Sequence, residues 1–178
     1  MAVTSDKIFG ITGWKNSGKT TLLEALVREL TARGYRVSTI KHAHHAFDID
    51  VPGKDSYRHR EAGAHEVIVS SGQRWALMHE LRGDVQPTLA ELMNHLGDCD
   101  LLLVEGFKGD DHPKIEVLRS LGPEGRLADS DGTICAVATP DTPLAGRHRR
   151  LDLANISAIA DFVSAHRGLV GSERLTHV

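Results

Sequence analysis

The run Gly13-Trp14-Lys15-Asn16-Ser17-Gly18-Lys19-Thr20 lies between a short apolar stretch and a segment with helical apolar spacing. It fits the phosphate-loop pattern, which demands a strand before it and a helix after it. Gly13 allows a sharp turn where a side chain would clash. Main-chain N–H groups of the loop and of the helix opening near Gly18 then form a concave anion site. Lys19 adds a point charge toward the outer phosphates, and the Thr20 hydroxyl is suited to a magnesium ion, which prefers hard oxygen ligands. Thr21 supports the helix start. The flanks agree: residues 7–12 (KIFGIT) read as a buried strand, and residues 20–33 (TTLLEALVRELTAR) as an amphipathic helix stopped by Gly34. The expected ligand is a nucleoside triphosphate with magnesium.

A length of 178 residues, with 40% hydrophobic and 25% charged residues, fits one domain with a substantial core, residues 1–178, its end at 168–178 fraying. A net charge of -3 gives no global attraction to nucleic acid. Cys99 and Cys135 fall in apolar runs read as strands and suit small core residues in a reducing compartment. The polar start, with no long apolar segment behind it, predicts neither a signal peptide nor a membrane span, so the expected location is cytoplasmic. The basic run 147–150 reads as a solvated loop.

Residues 35–41 (YRVSTIK) read as a second strand, giving a βαβ opening and a parallel sheet. Residues 42–55 form a polar loop expected at the carboxyl edge of that sheet, where ligands of open α/β sheets bind. A short helix over 56–62 precedes a hairpin, 66–70 and 74–81, and a helix over 88–96 follows. Residues 100–105 (DLLLVE) suit a central strand buried on both faces. Residues 114–119 (KIEVLR) alternate like a half-exposed strand, 133–138 (TICAVA) read as buried, and 152–167 as a closing helix. The fold class is α/β: a phosphate-loop NTPase-like three-layer fold with a mostly parallel central sheet and a hairpin-like extension.

Glu105, delivered to the carboxyl end of its strand, is the candidate second magnesium ligand, with Gly106 and Phe107 turning the chain beside the ligand. Asp55 or Asp50 completes the metal shell through water, and Lys41 faces a phosphate or a second anionic ligand. His42, His44 and His45 raise a zinc hypothesis, and with it a metallochaperone switch, but no fourth ligand stands at usual spacing. The Asn-Lys-x-Asp guanine signature does not occur; Asp141, after the strand 133–138, is the candidate for accepting hydrogen bonds from a guanine, with an ordinary turn aspartate as the alternative.

Together GWKNSGKTT, TIKHAHHAFDIDVPGKDSYRHREAGA, DLLLVEGFK and KIEVLR resemble the MobB family, the molybdopterin-guanine dinucleotide biosynthesis adaptor proteins. The resemblance implies a GTP-binding, homodimeric protein of the signal-recognition and dethiobiotin-synthetase-like branch, with weak GTPase activity. Its expected partner is the guanylyltransferase that attaches GMP to molybdopterin, with molybdopterin itself a possible ligand. Carried over by position, Gly13 to Thr21 hold phosphates, Thr20 and Glu105 hold magnesium, and Asp55 is a further magnesium candidate. The wider branch often carries a lysine directly after the first loop glycine, where this chain has Trp14, and neither an arginine finger nor a catalytic glutamine is assignable. The alternative is an ATP-dependent small-molecule kinase or ligase of the same branch.

Overall fold

The computed structural model describes residues 3–43 and 47–169; His44, His45 and most of the expected frayed tail lie outside the described residues. The chain divides into two compact units, Met1–His42 with Met93–Val178, and Ala43–Leu92.

The first unit is built on six parallel strands: β1 (Ile8–Thr12), β2 (Val37–Lys41), β5 (Leu101–Glu105), β6 (Lys114–Val117), β7 (Ile134–Thr139) and β8 (Arg150–Asp152), in the order β2-β5-β1-β6-β7-β8. Near-continuous apolar strands suit this arrangement because a parallel sheet is covered on both faces. Helix α1 (Lys19–Ala32) buries Leu22, Leu26 and Leu30, one residue per turn, against Phe9, Ile11, Leu101 and Leu103. Removing each leucine from water contributes about 1.5–3 kcal/mol. The helix ends where Gly34 takes φ 88° and the Tyr35 N–H donates back to the Leu30 carbonyl at 3.2 Å, a left-handed stop that glycine adopts without strain. Helix α5 (Ile156–His166), capped by the Asn155 side chain accepting from the Ala158 N–H, adds Ile159, Ala160, Phe162 and Val163 to the same core. A second cluster of Leu118, Ala128, Ile134, Val137 and Ala145 joins β7 to a 3-10 turn at Leu127–Asp129 and to the short α4 (Thr142–Ala145).

Several sequence expectations change here. The strand expected at 100–105 forms over Leu101–Glu105 and is buried throughout, but it lies between β2 and β1, and the middle of the sheet is β1 and β6. The alternation of 114–119 does not mark a half-exposed strand: β6 is buried along its whole length, Lys114 and Glu116 included. Their charges are satisfied internally. Lys114 Nζ donates to the Asp110 carbonyl and to Thr133 Oγ1, with Asp131 at 3.8 Å. Glu116 accepts the Leu127 and Ala128 N–H groups, each at 2.9 Å. The closing helix begins at Ile156 because Arg150–Asp152 forms β8, so Arg150 is not part of a solvated loop: its guanidinium donates to the Pro140 carbonyl just past β7. Cys99 is buried but precedes β5, and Cys135, half-buried within β7, has its thiol held above the ordinary value by burial.

The second unit holds α2 (Asp55–Glu61) and the antiparallel ribbon of β3 (Glu66–Ser70) and β4 (Trp75–His79), as the hairpin reading expects, with the Ser71 N–H donating to the Arg74 carbonyl at its tip. Arg60 organises it, reaching Asp50 at 3.2 Å, Glu80 at 2.7 Å and Asp48 at 2.9 Å. The helix α3 (Leu89–Met93) is shorter than the expected 88–96; the Thr88 and Glu91 side chains form its opening box.

Candidate functional site

The chain leaves β1 at Thr12 and enters α1 at Lys19, and the six residues between form a tight loop at the carboxyl edge of the sheet. Its path needs its glycines. Gly13 has φ 144°, and a Cβ there would meet Ser17 Oγ and the Val117 carbonyl, both at 2.6 Å; Gly18 has φ 98°, and Asn16 sits in the left-handed region at 62°. Such alternation of backbone hand turns successive N–H groups to one side, the geometry of an anion nest. No side chain caps α1, so its first-turn amides are left for a ligand. Ser17 Oγ and Thr12 Oγ1 are buried without a hydrogen-bond partner among the described residues. Lys19 folds back to donate to the Trp14 carbonyl at 2.8 Å. Burial holds the Lys19 ammonium below the usual lysine range; Glu105 opposes that shift, and Lys108 and Lys41 add to it. A polyanion entering the loop relieves this crowding.

Thr20 and Glu105, 85 residues apart in sequence, meet: the Thr20 hydroxyl donates to Glu105 Oε1 at 2.9 Å and lies 3.2 Å from Oε2. The strand register explains the encounter. Glu105 is paired with Ile11 on one side and Lys41 on the other, at the ends of β1, β5 and β2. Lys41 Nζ stands 3.7 Å from Glu105 Oε2. Gly106 and Phe107 both take positive φ, 99° and 49°, and His42 packs on them, its ring 5.0 Å from that of Phe107.

The remaining expected residues fall as follows. Trp14 is half-buried, its indole N–H donating to the Gly125 carbonyl at 2.9 Å and its face carrying Lys108 Nζ at 4.4 Å. Lys15, Asn16 and Thr21 are exposed on the loop and first turn. Asp141 lies past the carboxyl end of β7, exposed and before α4, its N–H held by Thr139 Oγ1. Asp55 belongs to the other unit, exposed at the first position of α2. Asp50 is committed elsewhere: Ser56, then Arg60, hold its carboxylate below the usual range by hydrogen bonding.

One residue has no motif to announce it. An ideal Cβ at Gly18 would lie 2.8 Å from Arg119 Nε, so the Arg119 guanidinium rests against the mouth of the loop. It follows the buried Leu118, whose N–H donates to the Ala138 carbonyl, and this fixes where its side chain starts. No sequence signal marks it; the pairing of β6 with β1 brings it to the loop.

A family described as "Molybdopterin guanine dinucleotide synthesis protein B" (MobB) matches residues 8–140. The chain belongs to the MobB family. A molybdopterin-guanine dinucleotide biosynthesis adapter protein of Haemophilus influenzae is 44% identical over 156 residues, spanning 88% of this chain and 86% of its own length. Its counterpart in Escherichia coli is 42% identical over 159 residues, spanning 88% and 90%. Among solved structures, a molybdopterin-guanine biosynthesis protein B superposes with a TM-score of 0.70 at 25% identity, covering 89% of this chain and 98% of that one. A MobB homologue from Bacillus stearothermophilus superposes with a TM-score of 0.68 at 25% identity, covering 92% and 99%. The fold described above is thus the fold of these solved structures. Among the described residues no helix is long and apolar enough to cross a membrane.

Proposed function

We propose that this MobB-family chain is a GTP-binding adaptor of molybdopterin-guanine dinucleotide assembly, serving the guanylyltransferase that joins GMP to molybdopterin in the cytoplasm. The observation that carries the reading is the meeting of Thr20 with Glu105 beside a loop whose Ser17 hydroxyl is buried without a partner. Two hard oxygen donors beside an anion nest fit a magnesium ion on a polyphosphate, whose chemistry is to bridge and neutralise phosphate oxygens. Thr20 and Glu105 would hold that ion. Loop amides from Gly13 to Thr21 would hold the phosphates, and Lys19 would move from the Trp14 carbonyl to the ligand. Asp141 would accept from a guanine edge, and Lys41 would face the phosphate of the nucleotide or of molybdopterin. With no general base or water-positioning glutamine assigned, turnover would be slow.

The ribbon supports a homodimer as part of this reading. Two-stranded hairpins are marginal in water by themselves, and here Ile68 and Trp75 are exposed on one face of the ribbon and Val69 on the other, apolar surface suited to a second copy.

Calorimetric titration with GTP and ATP, with and without magnesium, tests the reading. Guanine preference, magnesium dependence and turnover far below one per second are expected. Adenine preference with acceptor-stimulated ADP release would establish the kinase or ligase alternative, and rapid unassisted GTP hydrolysis would remove the adaptor reading.

A further inference from the structure

We infer that the base of the β3–β4 ribbon is a zinc site formed by His65, His79 and Asp84. One ligand atom from each of these residues lies within 4.8 Å of those of the other two, and all three side chains are exposed. They come from three segments: His65 directly precedes β3, His79 ends β4, and Asp84 follows in the next turn.

The backbone that presents them is fixed. Glu66 pairs with His79 in the ribbon register, and the Glu80 N–H donates to the His65 carbonyl at 3.0 Å, so both histidines leave the same end of the ribbon. Their rings stand edge to face, 4.5 Å between centroids. The turn carrying Asp84 is closed by its N–H donating to the Leu81 carbonyl at 2.7 Å, with Arg82 and Gly83 at positive φ. The Arg82 guanidinium then pins that turn to the Ala64 carbonyl at 3.2 Å and the Arg60 carbonyl at 2.7 Å, immediately beside His65.

Ligand chemistry selects the ion. His79 Nδ1 lies 2.8 Å from Glu66 Oε1. A carboxylate accepting Nδ1–H leaves the Nε2 lone pair for a metal and raises its basicity, the arrangement found behind zinc-binding histidines. The His65 ring nitrogens and the Asp84 carboxylate have no hydrogen-bond partner among the described residues. Two imidazoles and one carboxylate match zinc, with water in the fourth position. Metal–ligand distances of about 2.0–2.2 Å place tetrahedral donors roughly 3.4 Å apart, so the three side chains need close by no more than about 1.4 Å, a movement that exposed rotamers allow. Bound zinc ties the start of β3, the end of β4 and the following turn together.

Zinc chloride titrated calorimetrically into the full chain, without nucleotide, tests this in the wild type and in His79→Ala, Asp84→Asn and Glu66→Gln. Because His42, His44 and His45 remain in every protein, the signal is the equivalent that the wild type binds and His79→Ala and Asp84→Asn lose. Glu66→Gln should retain it with affinity about 10- to 100-fold weaker. At free zinc ten times Kd, ribbon amides that exchange through opening should slow about elevenfold in the wild type and be unaffected in His79→Ala. Lys19→Ala should leave zinc binding intact, which separates this site from the nucleotide reading. Identical zinc stoichiometry and affinity in the wild type and His79→Ala, or ribbon exchange indifferent to zinc, would overturn the assignment.

Discussion

His112 makes the stability of this chain fall as the solution is acidified. Its ring is buried just before β6, with neither nitrogen partnered among the described residues, and it packs so closely on Gly10 that a Cβ there would lie 2.6 Å from its Nε2. Burial lowers its pKa from 6.5 to about 4, and the Lys114 and Arg167 charges act in the same direction against Asp110 and Asp131. The unfolded chain takes a proton there below about pH 6.5 and the folded chain holds none until about pH 4, so across that window the unfolded state binds more protons. Stability is therefore fully present above the upper value and is lost as pH falls through the window. The gap of about 2.5 units corresponds to roughly 3 kcal/mol, a large share of the ~5–15 kcal/mol that holds a domain folded. Urea unfolding of the wild type and His112→Leu over that range measures it, because the titrations of all other groups cancel in the difference between the two proteins. That difference should shift by about 3 kcal/mol in favour of the leucine variant between roughly pH 7 and pH 4. A difference flat within ~0.5 kcal/mol would refute the account, since distant sites add to within about that margin.

Further outcomes are expected at the loop. Lys19→Ala should weaken GTP binding about 10- to 150-fold, the loss of one charge-assisted hydrogen bond, while the melting temperature of the free protein changes little; equal affinity would dismiss the phosphate assignment. Glu105→Gln should reduce the gain in GTP affinity that magnesium confers, read by titration with and without the ion, and a gain equal to the wild type's would discount Glu105 as a ligand. Gly18→Ala should destabilise the fold by about 1–2 kcal/mol through its left-handed backbone and further through the Arg119 contact. In denaturant unfolding, the double change with Arg119→Ala should recover only the second part, and full additivity would mean the contact carries no energy.

The loop, its flanking strand and helix, and the encounter of Thr20 with Glu105 were legible in sequence because each obeys a local rule: glycine where the backbone reverses hand, apolar period in α1, and an acidic residue closing an apolar strand. Lys114 and Glu116 were not, since alternation of charged and apolar residues ordinarily means one wet face. Here partners remote in sequence, Thr133, Asp131 and the Leu127 and Ala128 amides, satisfy the charges inside. Strand β8 has no sequence signature, because three residues carry no period and its first is an arginine. Asp50, a candidate for the metal shell through water, is held instead by Ser56 and by Arg60, ten positions on. Arg119 has no spacing rule at all; only the side-by-side placement of β6 and β1 reveals it.

Glu116 has a reach beyond the sheet interior. Its carboxylate anchors the turn at Leu127–Asp129, whose approach segment offers the Gly125 carbonyl to the Trp14 indole. The posture of the loop over residues 13–18 is therefore moored, through a few covalent links and three hydrogen bonds, to a carboxylate buried within the sheet. Loop posture and core integrity are mechanically one system here, and a lesion at Glu116 should be felt at Trp14.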